Sequence, residues 1–241
     1  MNESGPGFEY QVVTPANIGW LQVKLDQDEI DYIWKCIDDR SISLKSRLAG
    51  NISASYQLID KDKWFFRKKV VPLCNVYEQH YGNTRSKDVP CIGKHPWLMY
   101  PWWVNFQKEH DFNPVHNHAG IYSFVIWLKI PTDYEEQNKS GRSRDANTQA
   151  ASNFHFEYYD ILGKRRTHEY RMSPKFEGTM LFFPSHLHQC VYPFYDCKED
   201  RVTVSGNIIL NSTVLLNEDE LVKSDGYPDI HHNDIFKGVL K

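Results

Sequence analysis

Four of the 11 histidines in this 241-residue chain form two H-x-H pairs, His116 with His118 and His186 with His188. Side chains at positions i and i+2 of a β-strand point to the same side, so such a pair at a strand edge can direct two imidazoles toward one point. A third imidazole from a neighbouring strand would complete a facial set of ligands on a metal ion and leave open positions opposite. The two pairs therefore predict a metal site assembled from distant parts of the chain.

The composition predicts a folded protein with a sizeable core. Hydrophobic residues make up 41% of the chain and aromatic residues 14%, which excludes disordered and collagen-like classes. The 28 Lys and Arg residues nearly balance the 31 Asp and Glu residues, and this disfavours a nucleic-acid partner. The five cysteines are odd in number and include no C-x-x-C pair, so we expect reduced thiols in a cytoplasmic compartment. We expect no membrane partner, because no apolar run reaches about 18 residues and no signal-peptide pattern is present.

Helical patterns occupy the front of the chain and strand patterns the back. The spacing of Ile30, Ile33 and Ile37 predicts a helix over residues 26–40, with Asp26 and Glu29 as its capping box. A second helix is predicted over residues 60–81, interrupted at Pro72. Strands are predicted at 99–107, 121–130, 153–159, 167–171, 179–183, 189–193 and 201–211, with a hairpin turn at 160–164. The polar residues 132–150 predict a long loop, which we interpret as a candidate lid.

Many short strands behind a helical layer favour a β-sandwich or barrel. We expect one domain over residues 1–241. It comprises an N-terminal support layer (1–96), a β core (97–211) and a peripheral tail (212–241).

Further motifs stand in a fixed order around the two histidine pairs. A W-x-N motif precedes the first pair, G-x-x-x-x-F-P-S leads into the second, V-x-P follows it, and R-x-T with a later asparagine closes the series. Their positions are Trp103 and Asn105, residues 178–185, Val191 and Pro193, and Arg201, Thr203 and Asn207. Together they resemble the iron(II)- and 2-oxoglutarate-dependent oxygenase superfamily, and more narrowly an oxygenase family of marine phages and bacteria. The resemblance covers about residues 99–211.

The resemblance implies a mainly β chain with N-terminal helices, folded as a double-stranded β-helix (a cupin-like jelly roll). It implies Fe(II) in the mouth of the barrel, with 2-oxoglutarate and O2 as co-substrates. By position, His116, His118 and His188 are the expected metal ligands and catalytic residues. Arg201 matches the arginine that pairs with the far carboxylate of 2-oxoglutarate, and a guanidinium suits that task. Thr203 and Asn105 are further expected cofactor-binding residues. The alternative for Arg201 is a surface arginine beside Glu199 and Asp200.

One position departs from the superfamily pattern, because His118 stands where a carboxylate ligand is usual. We favour an all-histidine triad. In a second interpretation His118 is the first ligand and Gly120 marks an emptied carboxylate position that could host chloride, as in a halogenase-like enzyme. In a third the metal is lost. His186 is an alternative to His188.

The resemblance implies an Fe(II)- and 2-oxoglutarate-dependent dioxygenase that hydroxylates a substrate the sequence does not identify. A protein side chain such as proline is favoured, while amino acids and nucleotides stay open. The rival hypotheses are a cupin-type metal enzyme that uses no 2-oxoglutarate and a non-catalytic jelly-roll binding domain.

Overall fold

The computed structural model describes residues 3–4, 9–13, 17–44, 50–82, 95–139 and 149–212. Their strands are β1 (Glu3–Ser4), β2 (Glu9–Tyr10), β3 (Leu21–Lys24), β4 (Ile42–Ser43), β5 (Ala54–Gln57), β6 (Trp97–Gln107), β7 (Asn113–His116), β8 (Tyr122–Lys129), β9 (Asn153–Tyr159), β10 (Arg165–Arg171), β11 (Thr179–Pro184), β12 (His188–Val191) and β13 (Arg201–Leu210). The α-helices are α1 (Gln27–Asp38), α2 (Val71–Tyr81) and α3 (Tyr134–Lys139). Short 3-10 turns occupy Lys61–Lys63 and Pro174–Phe176, and a π-helix occupies Phe66–Val70.

The strands from β6 onward pass back and forth between two antiparallel sheets. The large sheet has the order β3-β11-β8-β13-β6-β5-β4, and the small sheet has the order β10-β9-β12-β7. The eight strands β6 to β13 form two facing four-stranded sheets. One has the order β11-β8-β13-β6 and the other has the order β10-β9-β12-β7. This is the strand order of a jelly roll, in which two Greek keys close over one core. The predicted double-stranded β-helix is confirmed.

The first helix begins where its sequence predicts. Asp26 is the N-cap of α1, and its capping box with Glu29 is formed. The second predicted helix is divided close to Pro72, as predicted: the π-helix ends at Val70, and α2 begins at Val71 with Pro72 in its first turn. A proline is tolerated there, since its missing N–H leaves no hydrogen bond unmade.

Two apolar clusters lie on opposite faces of the large sheet. One packs the sheet against the helices and includes Ile33, Tyr77 and Phe124. The other fills the space between the two sheets and includes Trp127 and Phe183. Successive residues of a strand therefore alternate between the helical layer and the jelly-roll interior.

This alternation places a polar row inside the jelly roll. Along β13, Val202, Val204 and Ile208 pack in the helical layer. The residues between them face the opposite way, toward the interior. That row is Arg201, Thr203, Ser205 and Asn207.

The connection predicted as a loop over 132–150 is partly helical. Its first part forms α3, and the Asn138 side chain donates hydrogen bonds to the carbonyls of Tyr134 and Ala151. Residues 140–148, the centre of the predicted lid, lie outside the described residues, as do residues 213–241 of the predicted tail. The predicted hairpin at 160–164 is confirmed, with Gly163 at a positive φ between β9 and β10. The four described cysteines are free thiols. In the described part of the chain, each helix is too short or too polar to cross a membrane.

Candidate active site

A cavity of about 390 Å³ opens between β6, β7 and β12 at one end of the jelly roll. The two imidazoles of the first H-x-H pair line it, together with Gln189 and Asn207. His116 is the last residue of β7, and His118 lies two residues beyond the strand end. Their rings are stacked, with centroids 5.3 Å apart and planes inclined by 29°. The structure therefore brings His116 and His118 together, as their spacing predicts.

Each of these imidazoles has one nitrogen tied to an oxygen acceptor. His116 Nδ1 lies 2.7 Å from the carbonyl oxygen of Pro114, and His118 Nδ1 lies 3.0 Å from Oδ1 of Asn207. Oxygens of this kind only accept hydrogen bonds, so Nδ1 carries the proton in both rings. The lone pair of each neutral ring is then on Nε2, which is the arrangement that metal-binding histidines adopt.

The surroundings of His118 fix its ring and its charge. The indole of Trp103 stacks on it, with ring centroids 5.8 Å apart. Asn207 Oδ1 also accepts a hydrogen bond from Ser123, which holds the amide in place. Burial lowers the pKa of His118 to about 4 and also lowers the pKa of His116. Both imidazoles are therefore neutral near pH 7 and able to bind a cation.

The third side chain at this point is Gln189, not a histidine. Gln189 is buried in β12, opposite His116 in the β12–β7 register. Its Nε2 atom lies 2.6 Å from Nε2 of His118 and 3.3 Å from Nε2 of His116. Sequence reasoning missed this residue. The available signal was Val191, which packs in the inner cluster and shares a strand face with position 189.

The prediction that His188 completes the triad needs correction. His188 is exposed, pairs in register with Glu157 of β9, and lines a second cavity together with His186. Adjacent residues of a strand face opposite sides, so the inward position of Gln189 turns His188 outward. Among the described residues, no three side chains of His, Cys, Asp or Glu are arranged to hold a metal ion. His186, the alternative to His188, is exposed in the turn before β12 and lines the same second cavity.

Gly120, the emptied ligand position of the second interpretation, is not among the described residues that line the cavity. Gly120 has φ +108, and a Cβ added there would lie 2.7 Å from the carbonyl oxygen of Ile208. A side chain at this position would run into the backbone of β13. The backbone conformation at position 120 and its contact with β13 thus require glycine.

Arg201 is fully buried at the far end of the interior polar row, so the surface alternative is excluded. Its guanidinium donates to Oγ of Ser152 at 2.7 Å, with longer contacts to Gln107 and to the carbonyl of Tyr192. Nε has no hydrogen-bond partner, and no ion pair to a described carboxylate is formed. Burial lowers the pKa of Arg201 to about 10, so the group stays charged at neutral pH. It is a buried cation without an anion.

The two other predicted cofactor residues lie between Arg201 and the imidazoles. Asn105 lines the cavity, and its Oδ1 accepts a hydrogen bond of 2.7 Å from Ser55. Thr203 is its register partner on β13, and the next inward pair along the same strands is Gln107 with Arg201. The described lining of the cavity reaches Asn105 and Ser205 but does not include Thr203 or Arg201.

Residues 101–207 match the model of a family described as "Putative 2OG-Fe(II) oxygenase". This segment is similar to iron(II)- and 2-oxoglutarate-dependent oxygenase domains. It contains both imidazoles of the first pair, Gln189 and Arg201. A comparison of the chain with curated proteins finds no match.

Several solved structures are similar to this chain. A prolyl-4-hydroxylase from Pseudomonas putida is 13% identical, with 78% of this chain and 91% of that chain covered and a TM-score of 0.44. A viral collagen prolyl hydroxylase from Paramecium Bursaria Chlorella virus-1 is 13% identical, with 78% and 94% covered and a TM-score of 0.44. A 2OG-Fe(II) oxygenase family oxidoreductase from Burkholderia pseudomallei is 11% identical, with 79% and 84% covered and a TM-score of 0.47. The assignment of the jelly roll rests on the strand order given above.

Oxygenases of this family take Fe(II), 2-oxoglutarate and O2, and the donors present here are compatible with iron. Imidazole nitrogen is a normal ligand for iron, and a carboxamide oxygen can serve as a neutral one. With metal–ligand bonds of about 2.1 Å, neighbouring ligand atoms of an octahedral ion lie about 3 Å apart. The separations of 2.6 and 3.3 Å between the Gln189 tip and the two imidazoles are close to that value.

Proposed function

We propose that this oxygenase domain is a hydroxylase that acts on a side chain of a protein, such as proline. His116 and His118 would hold the iron. The observation that carries the proposal is the orientation of these two rings. Each has its Nδ1 proton engaged by an oxygen, and each directs its Nε2 lone pair to the same point of the cavity, where the Gln189 carboxamide lies. When bound, the iron with 2-oxoglutarate and O2 supplies the oxidising power, with release of succinate and carbon dioxide and transfer of hydroxyl to a C–H bond.

The protein's own part is to bind and orient. Asn207 and Trp103 keep the His118 ring in position. Arg201 would pair with the far carboxylate of 2-oxoglutarate, because a buried guanidinium without a carboxylate partner gains most from an incoming anion. Thr203 and Asn105 lie between these groups and would contact the co-substrate along its length.

The cavity lining favours a protein side chain over a nucleotide or a free amino acid. Its described residues combine apolar and aromatic side chains with carboxamides, and none is an Asp, Glu, Lys or Arg. Phosphates and free amino-acid termini are charged and need charged or strongly polar partners when they lose water. A proline ring on a peptide is apolar, and its flanking peptide groups can exchange hydrogen bonds with the carboxamides.

Succinate formation tests the oxidation chemistry. Purified protein is incubated with Fe(II), 2-oxoglutarate and O2 but without a substrate, and succinate is measured over time. We expect slow uncoupled formation by the wild type and none by His118→Ala. Bound iron without succinate formation would indicate a cupin-type enzyme, and absence of bound metal would indicate a binding domain.

The substrate class is tested separately by mass spectrometry. Proteolytic peptides from cell extract, free amino acids and nucleosides are offered in parallel, and products that gain one oxygen atom are identified. Oxygen incorporation into peptides supports the proposal, and incorporation only into one of the small-molecule pools contradicts it.

A further inference from the structure

We propose that Gln189 is the third protein ligand of the iron, through its carboxamide oxygen, and that the protein ligand set therefore carries no negative charge. This rests on the proposed function, because it concerns the same site. It goes further in predicting that the metal and 2-oxoglutarate bind with strong mutual dependence.

The position of Gln189 is the first argument. Its carboxamide lies against both free imidazole nitrogens, at 2.6 and 3.3 Å. It is buried and faces the jelly-roll interior, whereas its neighbour His188 is exposed on the other face. Gln189 pairs with His116 in the sheet register, and this pairing holds the backbone of Gln189 beside that histidine. An ion bound by His116 and His118 would be within reach of this carboxamide.

The oxygen of the same carboxamide is unpaired. Gln189 Oε1 is buried and has no hydrogen-bond partner, while Nε2 faces the two lone pairs. Without a cation this orientation is preferred, since N–H groups donate to lone pairs. A cation at that point repels N–H and attracts oxygen, so it reverses the preference. A rotation of 180° about the Cγ–Cδ bond of Gln189 exchanges Oε1 and Nε2, which are nearly equal in size.

The charge of the site favours joint binding of the metal and 2-oxoglutarate. Iron(II) brings two positive charges to a site where His116, His118 and Gln189 are all neutral. The described residues that line the cavity include no carboxylate, and the nearest ionised group along the interior row is the cation Arg201. Charges in a poorly solvated site interact strongly, so an uncompensated divalent cation binds weakly there. The dianion 2-oxoglutarate supplies the missing negative charge, and by linkage each ligand then strengthens the binding of the other.

Calorimetric titration with cobalt(II), whose visible spectrum also reports its ligands, tests these arguments without turnover. Wild type is titrated with and without 2-oxoglutarate, beside Gln189→Ala, Gln189→Glu and the control His188→Ala. We expect 2-oxoglutarate to tighten cobalt binding to the wild type by about tenfold or more. Gln189→Ala should weaken cobalt binding by about tenfold or more. Gln189→Glu should bind cobalt about tenfold more tightly in the absence of 2-oxoglutarate and show a smaller effect of 2-oxoglutarate, because its carboxylate supplies the charge. His188→Ala should equal the wild type.

The outcomes separate this inference from the proposed function. Wild-type affinity and an unchanged cobalt spectrum in Gln189→Ala would overturn the role of Gln189 while the hydroxylase proposal stood. Weakened binding in His188→Ala would return the third position to His188. A wild type that binds no cobalt with 2-oxoglutarate present would overturn both. Gln189→Glu has nearly the same volume as the wild-type side chain, so it decides the question if Gln189→Ala does not fold.

Discussion

Replacing Arg201 by methionine should remove most of the affinity for 2-oxoglutarate while keeping the fold. Methionine fills much of the same volume with an unbranched apolar chain but carries neither the charge nor the donors of the guanidinium. The far carboxylate of 2-oxoglutarate would still lose its water on binding, with nothing to replace it. The substitution should therefore cost more free energy of 2-oxoglutarate binding than free energy of folding.

The size of the effect follows from the burial of Arg201. Burial lowers its pKa to about 10, which corresponds to about 3 kcal/mol of unfavourable free energy for the charged form. A carboxylate that pairs with the guanidinium can recover free energy of this order. Truncating one partner of a buried charged pair costs about 2–5 kcal/mol, which is the same range. We therefore expect the affinity for 2-oxoglutarate to fall by about 100-fold.

Anaerobic calorimetry with Fe(II) present measures this affinity directly. Arg166→Met is the matched control, because Arg166 is a half-exposed arginine of β10 that pairs with Asp160 at the surface. Thermal unfolding of each variant shows that the fold is kept. An Arg201→Met protein that is folded and binds 2-oxoglutarate as tightly as the wild type would refute the anchoring role.

Three further predictions concern the support of the site and of the fold. Asn207→Leu removes the acceptor for Nδ1 of His118 and should weaken metal binding by about 10- to 100-fold in a cobalt titration; unchanged binding would show that the ring needs no such support. Gly120→Ala should lower the free energy of unfolding by about 1 kcal/mol or more in urea, because φ is +108 and the new Cβ meets Ile208; an unchanged midpoint would contradict this backbone geometry. Asp26→Ala should cost about 1 kcal/mol in the same assay through loss of the α1 capping box, with cobalt binding unaffected.

The elements of this protein follow largely from local sequence patterns. The spacing of Ile30, Ile33 and Ile37 predicts α1, and the alternating apolar runs predict seven of the eight jelly-roll strands, since both periods reflect which face of an element is buried. No strand is predicted over β7, and Pro114 within it argues against a central strand. The structure shows why it is tolerated: β7 lies at the edge of the small sheet.

The proximity of His116 and His118 also follows from the sequence, because side chains only two positions apart in the chain cannot lie far from each other. The third position does not. A shift of one residue in register turns every side chain of a strand to the other face, so the choice between His188 and Gln189 depends on how β12 pairs with β7 and β9. The burial of Arg201 beside the acidic pair Glu199 and Asp200 is likewise a result of packing between sheets. Local sequence fixes which residues are available for chemistry, and the long-range register of the sheets decides which of them meet.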